Sequence, residues 1–224
     1  MLKLSHFNES NNSTDSKQSI PSKPMIEVGV DEVGRGCLAG RVYAAAVIWP
    51  SEMPPEDEMW KLIKDSKKLS EKKRIMLQEY IQKTAIDYSV AWVDEQTIDS
   101  INILQASQLA MKKALDGLTV LPEFILVDGN YFSIYCNRDD DWVSHLCVKK
   151  GDNVYVSIAA ASILAKVARD TYISELVDKH PYLERYGWRK NKSYGTVQHR
   201  QAIREYGITP WHRKTFGICA RKSQ

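Results

Sequence analysis

Four acidic residues sit where strands should end. Asp31 and Glu32 are adjacent and close an alternating apolar stretch over residues 26–30; Asp128 follows the wholly apolar run 124–127; Asp152 follows Lys150-Gly151. If a single sheet gathers them, four clustered anions repel one another unless cations neutralise them. Hard, oxygen-preferring Mg²⁺ or Mn²⁺ is the natural partner. Two such ions roughly 4 Å apart form the clamp used for in-line attack on a phosphodiester. Taken singly, each acid reads equally as a turn residue, a cap or a salt-bridge partner, the lone Asp128-Gly129 above all. Successive strand residues also point to opposite faces, so Asp31 and Glu32 share a site only if the strand bends or the glycine-rich turn after it helps. That turn, Gly34-x-Gly36-x-x-Ala39, has a second reading as a dinucleotide-binding loop feeding a helix. The acids just before it would repel a diphosphate, and the stretch after Gly40 is Val- and Ala-rich with strand length and no helical period. A nicotinamide-type oxidoreductase is therefore the weaker reading.

The elements that must position these residues can be read from periodicity. Residues 26–33 alternate as a strand, and 42–49 form a nearly continuous apolar run closed by Pro50, so the two make a hairpin across the glycine-rich turn. Ser70 is a plausible N-cap for a helix over 70–84; residues 88–93 return to strand texture. Leu104, Met111, Leu115 and Leu118 share one face of a helix expected over 101–118. Residues 124–127 and 143–148 are further strands, the first covered on both faces. A long helix comes after Asp152, with Ile158, Ala161, Ala165, Ala168 and Tyr172 recurring every three or four residues, a face small enough to lie close to a sheet. The order predicts a mixed-sheet α/β domain followed by a helical, basic C-terminal portion. Trp49, Trp60 and Trp92 are expected in the core.

Residues 1–24 are polar and end in Pro-Ser-Lys-Pro, the texture of a disordered leader; 25–224 form the domain proper. The full chain of 224 residues is ordinary in composition, 43% hydrophobic and 26% charged with a net charge of +3, and it suits one large domain. No stretch reaches the roughly 20 apolar residues of a membrane helix, and no signal peptide is evident, so a monomeric cytoplasmic protein is expected. Cys37, Cys136, Cys147 and Cys219 are scattered, without zinc spacing, and should be free thiols. The charge is polarised: residues 185–224 carry ten Lys/Arg against Glu205 alone, +9 against −6 for the remainder. With six aromatics interleaved (Tyr186, Trp188, Tyr194, Tyr206, Trp211, Phe216), this tail suits either a phosphate backbone or a merely solvated face.

Asp31-Glu32-Val33-Gly34-Arg35-Gly36 followed by Leu38-Ala39-Gly40 closely resembles the opening signature of the type 2 ribonuclease H family, bacterial ribonuclease HII in particular. Further blocks match in order: Asp65-Ser66-Lys67-Lys68-Leu69, Val127-Asp128-Gly129-Asn130, Lys150-Gly151-Asp152, the helix at 157–170, and Ser193-Tyr194-Gly195-Thr196 with His199. The resemblance runs from about Ile26 to Phe216. It implies a ribonuclease H-like fold, a five-stranded mixed sheet flanked by helices, with a helical C-terminal portion completing a nucleic-acid groove. It also implies an endoribonuclease that hydrolyses the RNA strand of RNA–DNA hybrids and nicks 5′ to a single ribonucleotide embedded in duplex DNA, leaving 3′-hydroxyl and 5′-phosphate ends.

Asp31, Glu32, Asp128 and Asp152 carry over as the ligands of two divalent ions, Mn²⁺ or Mg²⁺, one activating the attacking water and the other stabilising the leaving oxygen. Gly34, Arg35, Gly36 and Tyr194 carry over as the device that senses a single 2′-hydroxyl. Glycines without Cβ atoms suit a close backbone approach to a ribose; on their residues alone, Gly34 and Gly36 read as a tight turn and Tyr194 as loop packing. Lys67 and the basic tail are expected to contact phosphates. Asp170, four residues after Lys166, reads as a structural ion pair, and His199 either caps and packs or touches a phosphate. Two departures stand out: Ser193 replaces the family's usual glycine, and the leader is too short for the N-terminal domain of the sibling ribonuclease HIII. No clamp-binding peptide is recognisable over 218–224. A non-catalytic hybrid-binding module remains the competing reading.

Overall fold

The structure is a computed structural model that describes residues 1–7 and 25–220. Five strands, β1 (Glu27–Val33), β2 (Val42–Ile48), β3 (Asp87–Val93), β4 (Phe124–Asp128) and β5 (Ser144–Val148), form one sheet in the order β3-β2-β1-β4-β5. The β1–β2 hairpin and its β3 extension are antiparallel, while β4 and β5 join β1 in parallel. This is the mixed sheet expected.

Both faces of the sheet are covered, and β2 shows how the sequence arranges that. Val42, Ala44, Ala46 and Ile48 face α2 (Glu95–Asp116), while Tyr43, Ala45 and Val47 face α1 (Glu71–Thr84) and α3 (Val156–Lys179), the alternation that a period of two dictates. The small-residue face of α3 brings its backbone onto β1: a Cβ added at Gly29 would lie 2.3 Å from the Ser157 carbonyl carbon. Beyond α3 the chain turns through Pro181–Tyr186 into α4 (Trp188–Asn191), α5 (Val197–Tyr206) and α6 (Gly217–Ala220), packed around Trp188, Tyr186 and Ile203. Ser70 caps α1 by accepting from the Lys73 amide.

Several expectations need correction. Residues 1–7 of the expected disordered leader are docked, and residues 8–24 lie outside the described residues. Lys3 pairs with the chain next to Tyr155, its N–H donating to Val154 O at 2.7 Å and its carbonyl accepting from Val156 N at 3.0 Å. The Glu27 carboxylate accepts from Ser5 Oγ and from the His6 and Phe7 amides. A buried acid in need of donors is what ties this segment down, a demand that local composition hides.

The second helix begins at Glu95, capped by Asp94, and breaks at Asn102, whose φ of 67° interrupts it and whose side chain accepts from the Leu104 and Gln105 amides to start a new segment. Met111 and Leu115 face the core, Leu104 is exposed, and Leu118 is buried just beyond the helix. Trp49 and Trp60 are core residues, but Trp92 is 40% exposed on β3. There the Arg41 guanidinium covers its ring at 3.5 Å. Cys37, Cys136 and Cys147 are free thiols. No helix among the described residues is long and apolar enough to cross a membrane.

Candidate active site

Strand pairing explains where the acids go. The ladder of β1 with β4 ends at Val30↔Val127, while its ladder with β2 continues to Val33↔Tyr43. Asp31 and Glu32 therefore run past the last pairing to β4, at the carboxyl ends of the parallel strands, where α/β sheets present their sites. Asp128 is the last residue of β4. Its Oδ1 accepts from the Gly151 amide at 2.7 Å, which brings up the tight turn Gly151–Asn153 carrying Asp152. Asn153 Nδ2 donates to Asp152 Oδ1 at 2.7 Å.

Burial dominates the electrostatics of these acids, although Arg35, Lys67 and Lys166 line the same recess as Asp31 and Glu32. Burial pushes the Asp31 carboxyl well above the usual range, and Glu32 and Asp128 push it further; a hydrogen bond from Ser162 opposes them. Burial also raises Glu32, against the nearby Arg35 guanidinium, whose Nη1 lies 3.2 Å from Glu32 Oε1. Asp152 is raised by burial first, then by Asp128 and Asp65. Carboxylates held this way favour a bound proton or a cation. Asp31 and Glu32 line one recess of about 450 Å³, Asp128 and Asp152 line a neighbouring one of about 560 Å³ with Asp65, and Lys67 lines both. Among the described residues no three acidic, His or Cys side chains converge into a closed ligand set. The donor chemistry is nevertheless that of a hard divalent cation: oxygens only, several of them buried.

The recess holding Asp31 and Glu32 also contains Gly34, Arg35, Gly36, Lys67, Lys166 and Tyr194. Its far wall is joined to its near wall by residues that sequence reasoning missed. Fully buried Arg169 donates from Nη1 to Lys192 O at 2.9 Å and from Nη2 to Ser193 Oγ at 2.7 Å, and its Nε reaches Arg41 O at 3.3 Å. Equally buried Arg213 donates from Nε to Gly40 O and from Nη1 to Arg35 O, both at 2.9 Å. Cys37 and Tyr194 form an antiparallel bridge, with Leu38 N donating to Ser193 O at 3.0 Å. The glycine-rich turn and the Tyr194 loop are thus one hydrogen-bonded unit. Ser193 adopts the left-handed φ of 62° that a glycine would take freely, and its hydroxyl donates to Ala39 O at 2.8 Å. In the sequence Arg169 stands between Lys166 and Asp170 and reads as one more charge of α3, and nothing local marks Arg213.

The remaining site expectations divide. Asp170 pairs with Lys166 at 2.8 Å and lies 3.7 Å from Arg74, the structural ion pair expected. His199 is fully buried, so it packs and does not present itself to a phosphate. Tyr194 is 38% exposed, and burial of the rest pushes its hydroxyl up to about 12.

Acids at the open ends of a mixed α/β sheet, in a recess shared with Arg35, Lys67, Lys166 and Tyr194, form a site whose chemistry suits a phosphate-bearing substrate. The comparisons with known proteins narrow the class. The sequence model for ribonuclease HII matches residues 28–220. Ribonuclease HII of Bacteroides thetaiotaomicron is 50% identical over 88% of this chain and 92% of its own, and that of Parabacteroides distasonis is 52% identical over 86% and 90%. The crystal structure of ribonuclease H2 from Pyrococcus horikoshii superposes with a TM-score of 0.68 at 24% identity, covering 88% of this chain and 96% of that one. The chain belongs to the ribonuclease HII family, and membership implies endoribonuclease activity on RNA–DNA hybrids.

Proposed function

We propose that the protein hydrolyses the RNA strand of RNA–DNA hybrids and nicks duplex DNA on the 5′ side of a single embedded ribonucleotide, leaving 3′-hydroxyl and 5′-phosphate ends. The observation that carries this reading is the single recess lined by Asp31 and Glu32 on one side and by Gly34, Arg35, Gly36, Lys67 and Tyr194 on the other. A group that distinguishes a ribose then lies beside the groups that act on its phosphate. Asp31, Glu32, Asp128 and Asp152 would hold divalent ions, Mg²⁺ or Mn²⁺, whose chemistry is to activate water and to stabilise the departing oxygen.

The chain's own residues supply the rest. Lys67, lining both acidic recesses, meets a backbone phosphate and fixes register without reading sequence. The exposed backbone of Gly36 and the half-exposed Tyr194 ring bracket one sugar. Arg35 both neutralises Glu32 and carries the carbonyl that Arg213 holds. The basic residues from 185 onward face the remainder of a duplex, which makes nucleic acid the partner and predicts salt-sensitive binding. A clamp-binding C-terminal peptide forms no part of this reading; residues 221–224 lie outside the described residues.

The test is a gel assay on end-labelled duplex DNA carrying one ribonucleotide, beside all-DNA and four-ribonucleotide duplexes, in Mg²⁺, Mn²⁺ and EDTA. A metal-dependent nick 5′ to the lone ribonucleotide, absent from all-DNA, is expected. Asp128→Asn should abolish it while hybrid binding by filter retention persists. Cutting of the four-ribonucleotide duplex alone would remove the single-ribose assignment of Gly34 to Gly36 and Tyr194. Hybrid binding with no cutting in any metal would favour the binding-module reading.

A further inference from the structure

Behind the Tyr194 loop lies a buried group of side chains that the reaction does not touch: Trp188, His199, His212 and Thr209. Their hydrogen-bond roles can be assigned from groups that have only one role available. Trp188 Nε1–H can only donate, and it lies 3.0 Å from His199 Nε2, so that nitrogen accepts. The Tyr194 carbonyl can only accept, and it lies 3.0 Å from His199 Nδ1, so that nitrogen carries the proton. The Thr209 backbone N–H points at His212 Nδ1 at 2.9 Å, with Thr209 Oγ1 at 2.8 Å, so His212 Nδ1 accepts. The proton of neutral His212 is then on Nε2, which lies 3.1 Å from His199 Nε2 and shares that nitrogen's one lone pair with Trp188 Nε1–H in a three-centre hydrogen bond. One direction of donation runs through the group, from Thr209 through His212 and His199 to the backbone oxygen of Tyr194.

We propose that His199 and His212, held in these two opposite tautomers, are positioning residues that fix the Tyr194 backbone and thereby the ring that brackets the ribose. Tyr194 O also accepts from Thr196 N at 2.8 Å, a donor that belongs to the same loop and moves with it. His199 is the link to a different element, because α5 carries it and the Thr209–His212 turn holds its far side. Burial keeps both rings neutral at working pH, His212 being pushed down to about 3. A charged His212 would need a donor role at Nδ1, where the Thr209 amide already donates. The inference rests on the reading of Tyr194 as the ribose-sensing residue.

Two experiments separate the inference from that reading. Long-range ¹H–¹⁵N correlation of the full-length, ¹⁵N-histidine-labelled protein should show one ring protonated at Nδ1 and another at Nε2 that do not titrate from pH 8 to pH 6, with His199→Asn and His212→Gln assigning them. A protonated His199 Nε2, or either ring titrating in that range, overturns the relay whatever Tyr194 does. In the second, kcat/KM for nicking a single-ribonucleotide duplex is compared for His199→Leu and His199→Asn. The asparagine Nδ2 stands where the Nδ1 donor stood, so Leu should lose about tenfold, the worth of one hydrogen bond, and Asn should recover most of it. In a Tyr194→Ala background the two should be equal. Equal loss in Leu and Asn with Tyr194 present, or the same Leu-to-Asn ratio without it, overturns the positioning role. A Tyr194→Ala variant as active as the parent removes the sensor reading, and with it the role of the relay in recognition.

Discussion

Gly34 and Gly36 sit two residues apart in the same turn, yet the structure gives them different reasons to be glycine. Gly34 is buried with φ +100°, and a Cβ built on it would lie 2.4 Å from Arg169 Nε and 2.7 Å from Arg169 Cδ. Gly36 is exposed, its φ is outside the left-handed region, and a Cβ there would meet no atom of the protein within 4 Å. Folding therefore requires glycine at 34 and is indifferent at 36. For Gly34→Ala the backbone penalty is about 1–2 kcal/mol and the displacement of a packed, hydrogen-bonded Arg169 about 1–3 kcal/mol. In a protein of this size that is a fall in Tm of roughly 4–20 °C. Gly36→Ala should stay within about 0.5 kcal/mol of the parent, as surface changes do.

Activity should order the two differently. If the backbone at Gly36 approaches the ribose, a methyl group intrudes there, and losing one close contact to the sugar costs about 1.5–3 kcal/mol, roughly 10- to 100-fold in kcat/KM. The assay is thermal unfolding by circular dichroism together with nicking of a single-ribonucleotide duplex, both at one salt concentration. A Gly36→Ala protein with parental Tm and parental nicking would refute the placement of that glycine at the substrate. A Gly36→Ala protein that unfolds as early as Gly34→Ala would refute the division of labour itself.

Other consequences can be measured separately. Ser193→Ala keeps the strained backbone and loses both hydroxyl hydrogen bonds, so it should cost about 2 kcal/mol or more, whereas Ser193→Gly relieves the strain and should cost less; a Ser193→Ala Tm equal to the parent's would show that the hydroxyl contributes nothing, and equal Tm values for the two variants that the strain does not. His212 is held at about 3, against 6.5 when unfolded, so the unfolded chain alone takes up its proton as pH falls below 6.5. Its contribution is intact above that pH and is lost on acidification at about 1.4 kcal/mol per unit, roughly 2 kcal/mol by pH 5, a slope that denaturant titrations should find missing in His212→Gln. If Lys67 neutralises one phosphate, Lys67→Ala should reduce the slope of log K against log salt for duplex binding by about 0.9, and an unchanged slope would remove that contact.

How much of this was legible beforehand depended on the range over which each signal acts. The strands were readable because alternation on β2 and the closed apolar run of β4 are local, and Ser70 announced the start of α1 three residues from the amide it accepts. Placing Asp31 and Glu32 together required one fact that no local pattern contains: the β1–β4 ladder stops at Val30. Asn102 was a similar case, since an asparagine inside a helical period breaks the helix only when its side chain finds amides to cap, and composition alone does not say that it does.

The residues missed altogether are those whose partners lie far away in the chain. Arg169 and Arg213 bind carbonyl oxygens up to 178 residues distant, and a lone arginine in a sequence looks like surface charge. Burial reverses that reading. Arg213 is pushed down to about 10 by desolvation and still points one unpaired nitrogen, Nη2, into the interior, so its position is energetically costly and is offset through the carbonyls it holds. Those carbonyls belong to Arg35 and Gly40, at the two ends of the glycine-rich turn. Arg169 reaches from the same turn to Lys192 and Ser193, and His199 meets Tyr194 from behind. A recess wall built from two chain segments about 160 residues apart, as the proposed sensor is, cannot be rigid through local structure alone. The buried cations supply that rigidity, and a sequence pattern that marks only the surface of the recess leaves them out.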